Sequence, residues 1–378
     1  MSTAQEVAAA RLAAQRRAEA ARARSPWQLA WRQLLRYRLA VAGGIALVVL
    51  YAAMVLAEAL APYGLDQSDR NLFYAPPTGI HWIDARGRFH LRPFVYPYRV
   101  VDPSIPQYAP DTSRTYDVKF IVRGAPYRWL GVVPADVHLL GVDAPARLFL
   151  LGTDQFGRDL FSRLLYGSRV SLLLGVLVVV LSFPVGMVMG GVAGYYGGLV
   201  DNVLMRAVEV LASFPQFYLI LALTSVLPPT LTSPERIVLL SAVFSLTGWG
   251  GLARVIRGIV LGLRELEFVL AARAAGLKDF RVIVRHVLPS TASYIIVAAT
   301  LTIPGVILGE SGLSYLGIGV QEPSTSWGLQ LAQAQSIEVF TQFPWLLMPG
   351  LAIVIAILAF NFLGDGIRDA LDPRQRST

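Results

Sequence analysis

Cysteine is absent from the 378 residues, lysine occurs only as Lys119 and Lys278, histidine occurs four times, and charged residues make up 15% of the chain. Without cysteine there are no disulfides, thiolate metal sites or cysteine nucleophiles, and the redox compartment stays undetermined. Lys119 follows Val118 and Lys278 follows Leu277, so neither completes the G-x-x-x-x-G-K-[ST] loop that cradles nucleotide phosphates. The chain is therefore not expected to hydrolyse ATP. His81, His90, His138 and His286 are scattered and no G-x-S-x-G occurs, which leaves no metal-hydrolase or serine-hydrolase pattern and no metal or cofactor to expect. The scarcity of charge weighs most. A soluble domain is roughly a quarter charged, whereas this chain is 54% hydrophobic with a mean hydropathy of +0.53. A bilayer is the solvent such a composition suits.

What is present is a set of long charge-free stretches. A helix needs about 20 apolar residues to cross the hydrocarbon layer. Six stretches fit: 39–57, 170–200, 210–234, 237–253, 287–309 and 339–364. Any one of them could be a buried core helix, but six in a chain of this size predict an all-α membrane protein with six transmembrane helices. The fourth is the shortest and contains Gly248, Gly250 and Gly251. Ala57-Glu58-Ala59 resembles a signal cleavage site, but the apolar run exceeds the roughly 7 to 15 residues of a signal core, so the first stretch reads as a retained anchor. The Ala/Arg-rich start, Glu6 to Arg24, allows two readings: an organelle transit peptide, or a cytosolic tail against anionic lipid. The tail is preferred, since nothing else points to an organelle.

Lys and Arg collect in short cytoplasmic loops. Arg11, Arg16, Arg17, Arg22, Arg24, Arg32, Arg36 and Arg38 precede the first stretch. Arg254, Arg257, Arg264, Arg273, Lys278, Arg281 and Arg285 lie between the fourth and fifth, and Arg368, Arg374 and Arg376 follow the last. The loop between the fifth and sixth has none. Both termini are therefore expected in the cytosol. The net charge of +8 follows membrane topology and forms no soluble basic face, so no nucleic-acid partner is expected. The expected division is a basic cytosolic segment 1–38, a first transmembrane helix 39–61, an external insert 62–168, a five-helix core 169–364 with a cytosolic loop at 254–289, and a cytosolic tail 365–378.

The insert should contain some β structure. Tyr116, Val118, Phe120 and Val122 alternate with polar residues, which predicts a half-buried strand, with shorter strands near Phe89 to Val95 and Tyr127 to Val133. It serves either as a cover over the outer helix ends or as a docking surface for an external partner. At its end, Thr153 or Asp154 can cap a helix leading to the second stretch, with Asp154/Arg158 and Asp159/Arg163 at i,i+4 spacing. Pro184, Pro304 and Gly305, inside predicted spans, are read either as hinges or as packing positions.

The loop at 254–289 carries the most information. Apolar residues from Val255 to Leu270 recur with helical spacing. Small residues Ala271, Ala272, Ala274 and Ala275 follow, and Gly276 supplies a left-handed C-cap. A second helix is expected over 279–287, ending at Pro289. Such an elbow either docks in a partner's groove or lies on lipid.

Ala271-Ala272, Gly276 and Leu288-Pro289 at this spacing resemble the EAA loop of permease subunits in binding-protein-dependent ABC importers. The family's Glu falls on Leu270 here and its Ile on His286. Residues 151–163 (LGTDQFGRDLFSR), Gly194 to Gly198, Asp201, Ser213-Phe214-Pro215, Glu310 to Gly317 and Ser326-Trp327-Gly328 are similar to the dipeptide/oligopeptide/nickel branch. The N-terminal span resembles that of its C-type subunit. The resemblance implies the type I permease fold, with peptide transport across a bacterial or archaeal plasma (inner) membrane. It implies docking to two cytosolic ATPase subunits through Glu267, Ala271, Ala272, Arg273, Gly276, Leu288 and Pro289. It also implies a homologous second permease and an extracytoplasmic substrate-binding protein, in contact with membrane lipid.

Two other function classes stay open at this stage. One is a secondary transporter or channel driven by an ion gradient; such proteins usually place ionisable residues at mid-membrane, and none stands inside the six stretches. Glu310 and Asp365 fall at stretch ends, where interface placement is expected. The other is a membrane enzyme or assembly factor, for which no reactive constellation is visible. Within the resemblance, nickel or another small solute remains an alternative substrate.

Overall fold

The computed structural model describes residues 26–102, 106–228 and 231–372; Arg11 to Arg24, Arg374 and Arg376 lie outside them. A short amphipathic helix, α1 (Pro26–Leu34), leads into α2 (Arg38–Val55), and a single turn, α3 (Ala57–Leu60), follows. The insert comes next, with β1 (Ile80–Ile83), β2 (Phe89–Val95), β3 (Tyr98–Asp102), β4 (Gln107–Pro110), β5 (Tyr116–Asp117), β6 (Lys119–Trp129) and β7 (Val133–Gly141). The membrane core is α4 (Leu160–Tyr196), α5 (Gly198–Ala212), α6 (Gln216–Ser225), α7 (Ser233–Leu263), α8 (Glu267–Ala274), α9 (Asp279–Val282) and α10 (Ala292–Tyr315). It is completed by the short α11 (Trp327–Leu331) and α12 (Ile337–Gln342), then α13 (Met348–Leu371).

Five helical runs are long and apolar enough to cross a membrane among the described residues, or six if the pair α5 and α6, bent by 78°, counts as one. The third stretch, 210–234, is therefore not one straight span. Pro215 stands at the N-cap of α6, where its missing N–H is harmless, and it turns the chain there. At 37 residues α4 is about 55 Å long, well beyond the roughly 30 Å hydrocarbon core, so its ends project on both sides. Pro184 and Pro304 sit inside α4 and α10, which continue through them.

Small residues bring the core helices together. Gly186, Gly190 and Gly194 recur every fourth position on α4 and face the α7 backbone carbonyls of Trp249, Ala253 and Arg257. A Cβ at Gly186 would stand 2.9 Å from the Trp249 oxygen, and one at Gly194 2.7 Å from the Arg257 oxygen. Only glycine permits this approach, the usual means of association where lipid supplies no hydrophobic drive between helices.

The second helix expected over 279–287 does not end at Pro289. α9 passes into a π turn (Ile283–Val287) and a 3-10 turn (Leu288–Thr291), then α10. Leu288 N–H bonds back to the Ile283 carbonyl. This widened rung makes room for a proline ring that would clash in a regular α-helix.

Glu310 is a second correction. It lies five residues inside α10 and is 1% exposed. It accepts from Ser314 Oγ (2.6 Å) and Ser171 Oγ (3.2 Å), and Ser171 Oγ in turn accepts from Trp327 N–H (3.2 Å). A carboxyl at a stretch boundary thus ties α10 to α4 and to α11, and the chain does carry a buried ionisable group in its helical core.

The insert is three small antiparallel sheets: β1-β2-β5, β3-β4 and β6-β7. β2 matches the expected strand. The run from Tyr116 to Val122 is not one half-buried strand. Its first part pairs with β2 and the rest with β7, and Ile121 at φ 57° breaks the alternation, so that Phe120 is exposed. The strand expected near Tyr127 to Val133 is the tip of the β6–β7 hairpin.

Both described ends, the α4–α5 junction and the α8–α9 elbow lie on one side of the core. The insert, the α6–α7 connection and the α10–α13 connection lie on the other. Contacts along the helices fix this arrangement. On the first side, Gly366 is seated against Ala40 and Leu34, and Tyr195 reaches Asp279. On the second, Arg236 donates to the Gly319 carbonyl and Gln330 to that of Arg163.

Candidate functional site

The elbow is built by a short helix set across the ends of longer ones. α7 stops at Leu263; Leu266 takes extended backbone (ψ 149°) and α8 starts. The expected helix through Val255 to Leu270 is thus interrupted. Val269 and Ala272, three apart on α8, are buried against Ile256 and Val260 of α7 and against Val282, Ile283 and Leu288. α8 ends in a Schellman motif: Leu277 N–H bonds to the Ala272 carbonyl (3.3 Å) and Gly276 N–H to that of Arg273 (2.9 Å). Gly276 has φ 76°, the left-handed conformation that glycine takes without a Cβ penalty.

The structure divides the expected docking residues. Glu267, Ala271, Arg273 and Gly276 are all exposed. Ala272 and Leu288 belong to the core beneath it. Pro289 is exposed but sits in the 3-10 turn beyond the elbow. Arg273 stacks over the Tyr195 ring (5.1 Å), and Tyr195 OH donates to Asp279 Oδ1 (2.8 Å), so the last turn of α4 braces the elbow. The outward surface also carries Phe268, Leu270 and Phe280, all exposed. Phe280 was missed from the sequence; its signal is an aromatic off the buried period of its own helix, beside a glycine break. Exposed large apolar groups interspersed with Glu267 and Arg273 suit a partner better than water.

Among the core helices, two adjoining cavities of about 260 and 370 Å³ share Gln216, Gly248 and Gly251. Ser182, Thr302 and Thr247 add hydroxyls, and Arg254 supplies a charge in the larger one. The walls come from α4, α5, α6, α7 and α10 and mix polar with apolar groups. Below them Arg257 grips Asp201 in a bidentate pair (2.5 and 2.6 Å) that joins α7 to α5. Among the described residues no group of His, Asp or Glu could hold a metal ion.

At the opposite end, residues 152–159 form a folded loop, and neither Thr153 nor Asp154 caps α4. The cap is Asp159, whose Oδ2 accepts from Ser162 N–H (2.8 Å) and Oγ (2.6 Å). Burial pushes the Asp159 carboxyl up to about 7, against the pull of those same hydrogen bonds. Thr153 Oγ accepts from Ala75 N–H (2.7 Å) and donates to the Leu72 carbonyl. Asp154, fully buried, accepts from Phe156 and Arg158 N–H and pairs with Arg158 Nε (2.7 Å) and Arg163 Nε (3.6 Å). Asp154 and Arg158 do pair at i,i+4 spacing, but in a turn and not on a helix. Arg163 passes over Asp159 to reach Glu322 (2.8 Å) and Thr325 (3.2 Å). The loop therefore locks the N-terminal end of α4 to the α10–α13 connection.

Comparison with known proteins bears on this geometry. Residues 182–377, just over half of the chain, match the family described as binding-protein-dependent transport system inner membrane component. Residues 25–77 match the N-terminal TM domain of oligopeptide transport permease C. A dipeptide transport system permease protein, DppC, of Bacillus subtilis is 41% identical over 225 residues, 60% of this chain and 68% of that protein. A putative peptide permease protein of Brucella suis is 42% identical over 248 residues (65% and 80%). The oligopeptide transport system permease protein OppC of Haemophilus influenzae is 40% identical over 227 (60% and 70%). The chain is a multi-pass membrane permease subunit and belongs to the family of binding-protein-dependent transport system inner membrane components, with the N-terminal membrane domain of the oligopeptide permease C type.

Proposed function

We propose that this permease forms half of a translocation path for peptides in a bacterial or archaeal plasma membrane, and that the elbow of α8 and α9 receives the stroke of a cytosolic ATPase. The observation that carries the reading is the outward surface of Glu267, Leu270, Ala271, Arg273 and Gly276, held on a buried apolar base. Two ATPase subunits, a homologous second permease and an extracytoplasmic binding protein complete the assembly. The basic residues around the elbow and in both terminal segments support a cytosolic location for them.

The mechanism follows from the packing. A force on α8 passes through Val269 and Ala272 into α7 and α9, and through Arg273 and Tyr195 into α4. The Asp201–Arg257 pair carries it to α5. The helices can then swing as packed bodies, with Pro184 and Pro304 each removing one backbone rung where a helix can bend. The cavities around Gln216 suit a solute whose backbone amides exchange hydrogen bonds with Ser, Thr and Gln. Peptides meet that description, and the peptide permeases among the relatives support it. Glu310 does not argue for ion coupling, because its carboxyl is engaged by Ser171 and Ser314.

Reconstitution tests the function. In proteoliposomes holding the permease pair, the ATPases and the binding protein, labelled dipeptide uptake is expected to require ATP. Omission of the ATPases should abolish it. Equal uptake by this chain alone under an ion gradient would overturn the proposal.

A further inference from the structure

The β6–β7 hairpin stands against the outer end of the first span, and two bonds fix its direction. His138, midway along β7, sets Nδ1 2.6 Å from the Ala61 carbonyl oxygen. Trp129, the last residue of β6, donates Nε1 to the Val55 carbonyl at 2.9 Å. Val55 ends α2, and Ala61 lies beyond α3. Moving along the hairpin from His138 to Trp129 therefore means moving back toward the span, and the turn at 130–132 lies one step further on. The level is marked independently by Arg169, which pairs with Glu58 and donates to the Met54 carbonyl (3.0 Å). Those are the first charges past the apolar run.

The turn is unusual for a hairpin standing in water. Tight hairpin turns favour Asn and Gly, which tolerate left-handed backbone. Here Leu130 takes φ 50°, followed by Gly131 at 77°. Leu130 is 52% and Val132 78% exposed, and Val133 is exposed beside them. The turn satisfies its own donors: Gly131 N–H bonds to the Arg128 carbonyl and Val132 N–H to that of Trp129, each at 3.0 Å. Backbone entering a bilayer must be satisfied internally in this way. Trp129 and the exposed Arg128 flank the apolar tip as residues at a headgroup boundary do.

We propose that the hairpin is a monotopic anchor whose tip, residues 130–133, enters the outer leaflet of the bilayer that α2 crosses. Ile45, Val48 and Val49 of α2 are exposed apolar residues of a span, and the Trp129 bond to Val55 sets the apolar tip at the end of that span, which argues for lipid as the occupant. The inference rests on the membrane topology proposed above. It gives the insert a third role, clamping the first span to the external cap.

Because the chain has no cysteine, single probes report cleanly. Val132→Cys, Val48→Cys and Arg86→Cys, the last in the exposed β1–β2 turn, would each be labelled with an environment-sensitive fluorophore in the complete complex. The host would be phosphatidylcholine vesicles carrying 5-doxyl or 12-doxyl lipid. The probe at 132 is expected to emit blue-shifted from that at 86 and to be quenched at least twofold more by 5-doxyl than by 12-doxyl lipid. Aqueous-iodide quenching at 132 equal to that at 86, with the probe at 48 still quenched by lipid, would overturn the anchor. Shielding at 132 from both lipid and iodide would also overturn it, by pointing to a protein partner. Loss of lipid quenching at 48 itself would refute the topology of α2 rather than the hairpin.

Discussion

Gly276→Trp is expected to leave the chain inserted and folded while lowering ATP-driven uptake tenfold or more, with loss of ATPase co-purification. The residue's own surroundings make the prediction sharp. A Cβ built on Gly276 meets nothing within 4 Å, so a side chain there leaves the backbone into open space. Backbone strain at φ 76° costs about 1–2 kcal/mol, confined to the end of an eight-residue helix. A larger effect is expected from a body pressed against the outward surface, where each 1.4 kcal/mol lost is about a tenfold weaker contact. Gly276→Asn separates the two causes, because asparagine tolerates left-handed backbone and is small; it should retain more than half of the uptake. Normal ATPase binding by Gly276→Trp would mean that the elbow is not gripped at that point.

The largest expected effect on stability is at the other end of the core. Asp154→Ala removes the carboxylate between Arg158 and Arg163 and leaves two guanidinium groups facing each other, one of them 1% exposed. Removing one partner of a buried pair costs about 3–5 kcal/mol. Glu322, bonded to both arginines but itself partly exposed, offsets only part of the loss. Thermal unfolding of the purified subunit should therefore show a marked fall in Tm. Asp154→Asn keeps an oxygen for the Phe156 and Arg158 amides and should fall between wild type and alanine. A Tm unchanged by Asp154→Ala would show that the loop at 152–159 does not hold α4 to the α10–α13 connection.

Spans were legible because exclusion of charge from lipid leaves a plain mark in one dimension. The same mark misplaced Glu310: a boundary drawn at the first carboxylate cannot see the Ser171 and Ser314 hydroxyls that other helices bring to it. The bend at Ser213-Phe214-Pro215 was hidden for the converse reason, since an uncharged turn looks as apolar as a helix. Gly276 was readable as a left-handed cap because the requirement is local. The α4 glycines were not read as a contact because their partners are α7 carbonyls some sixty residues away, which leave no side-chain signature. The cap of α4 moved from Thr153 or Asp154 to Asp159 because Asp154 is claimed by Arg158 and Arg163. In the candidate site, outward-facing Ala271, Arg273 and Gly276 were found by spacing and resemblance. Phe280 and the Tyr195 brace needed the fold to bring them alongside.

One labelling experiment tests the central claim most directly. With Arg273→Cys as the only cysteine, a membrane-impermeant maleimide should fail to label intact cells and should label inverted membrane vesicles. Added ATPase should then protect the site. Labelling of Arg273→Cys from outside intact cells would contradict the account.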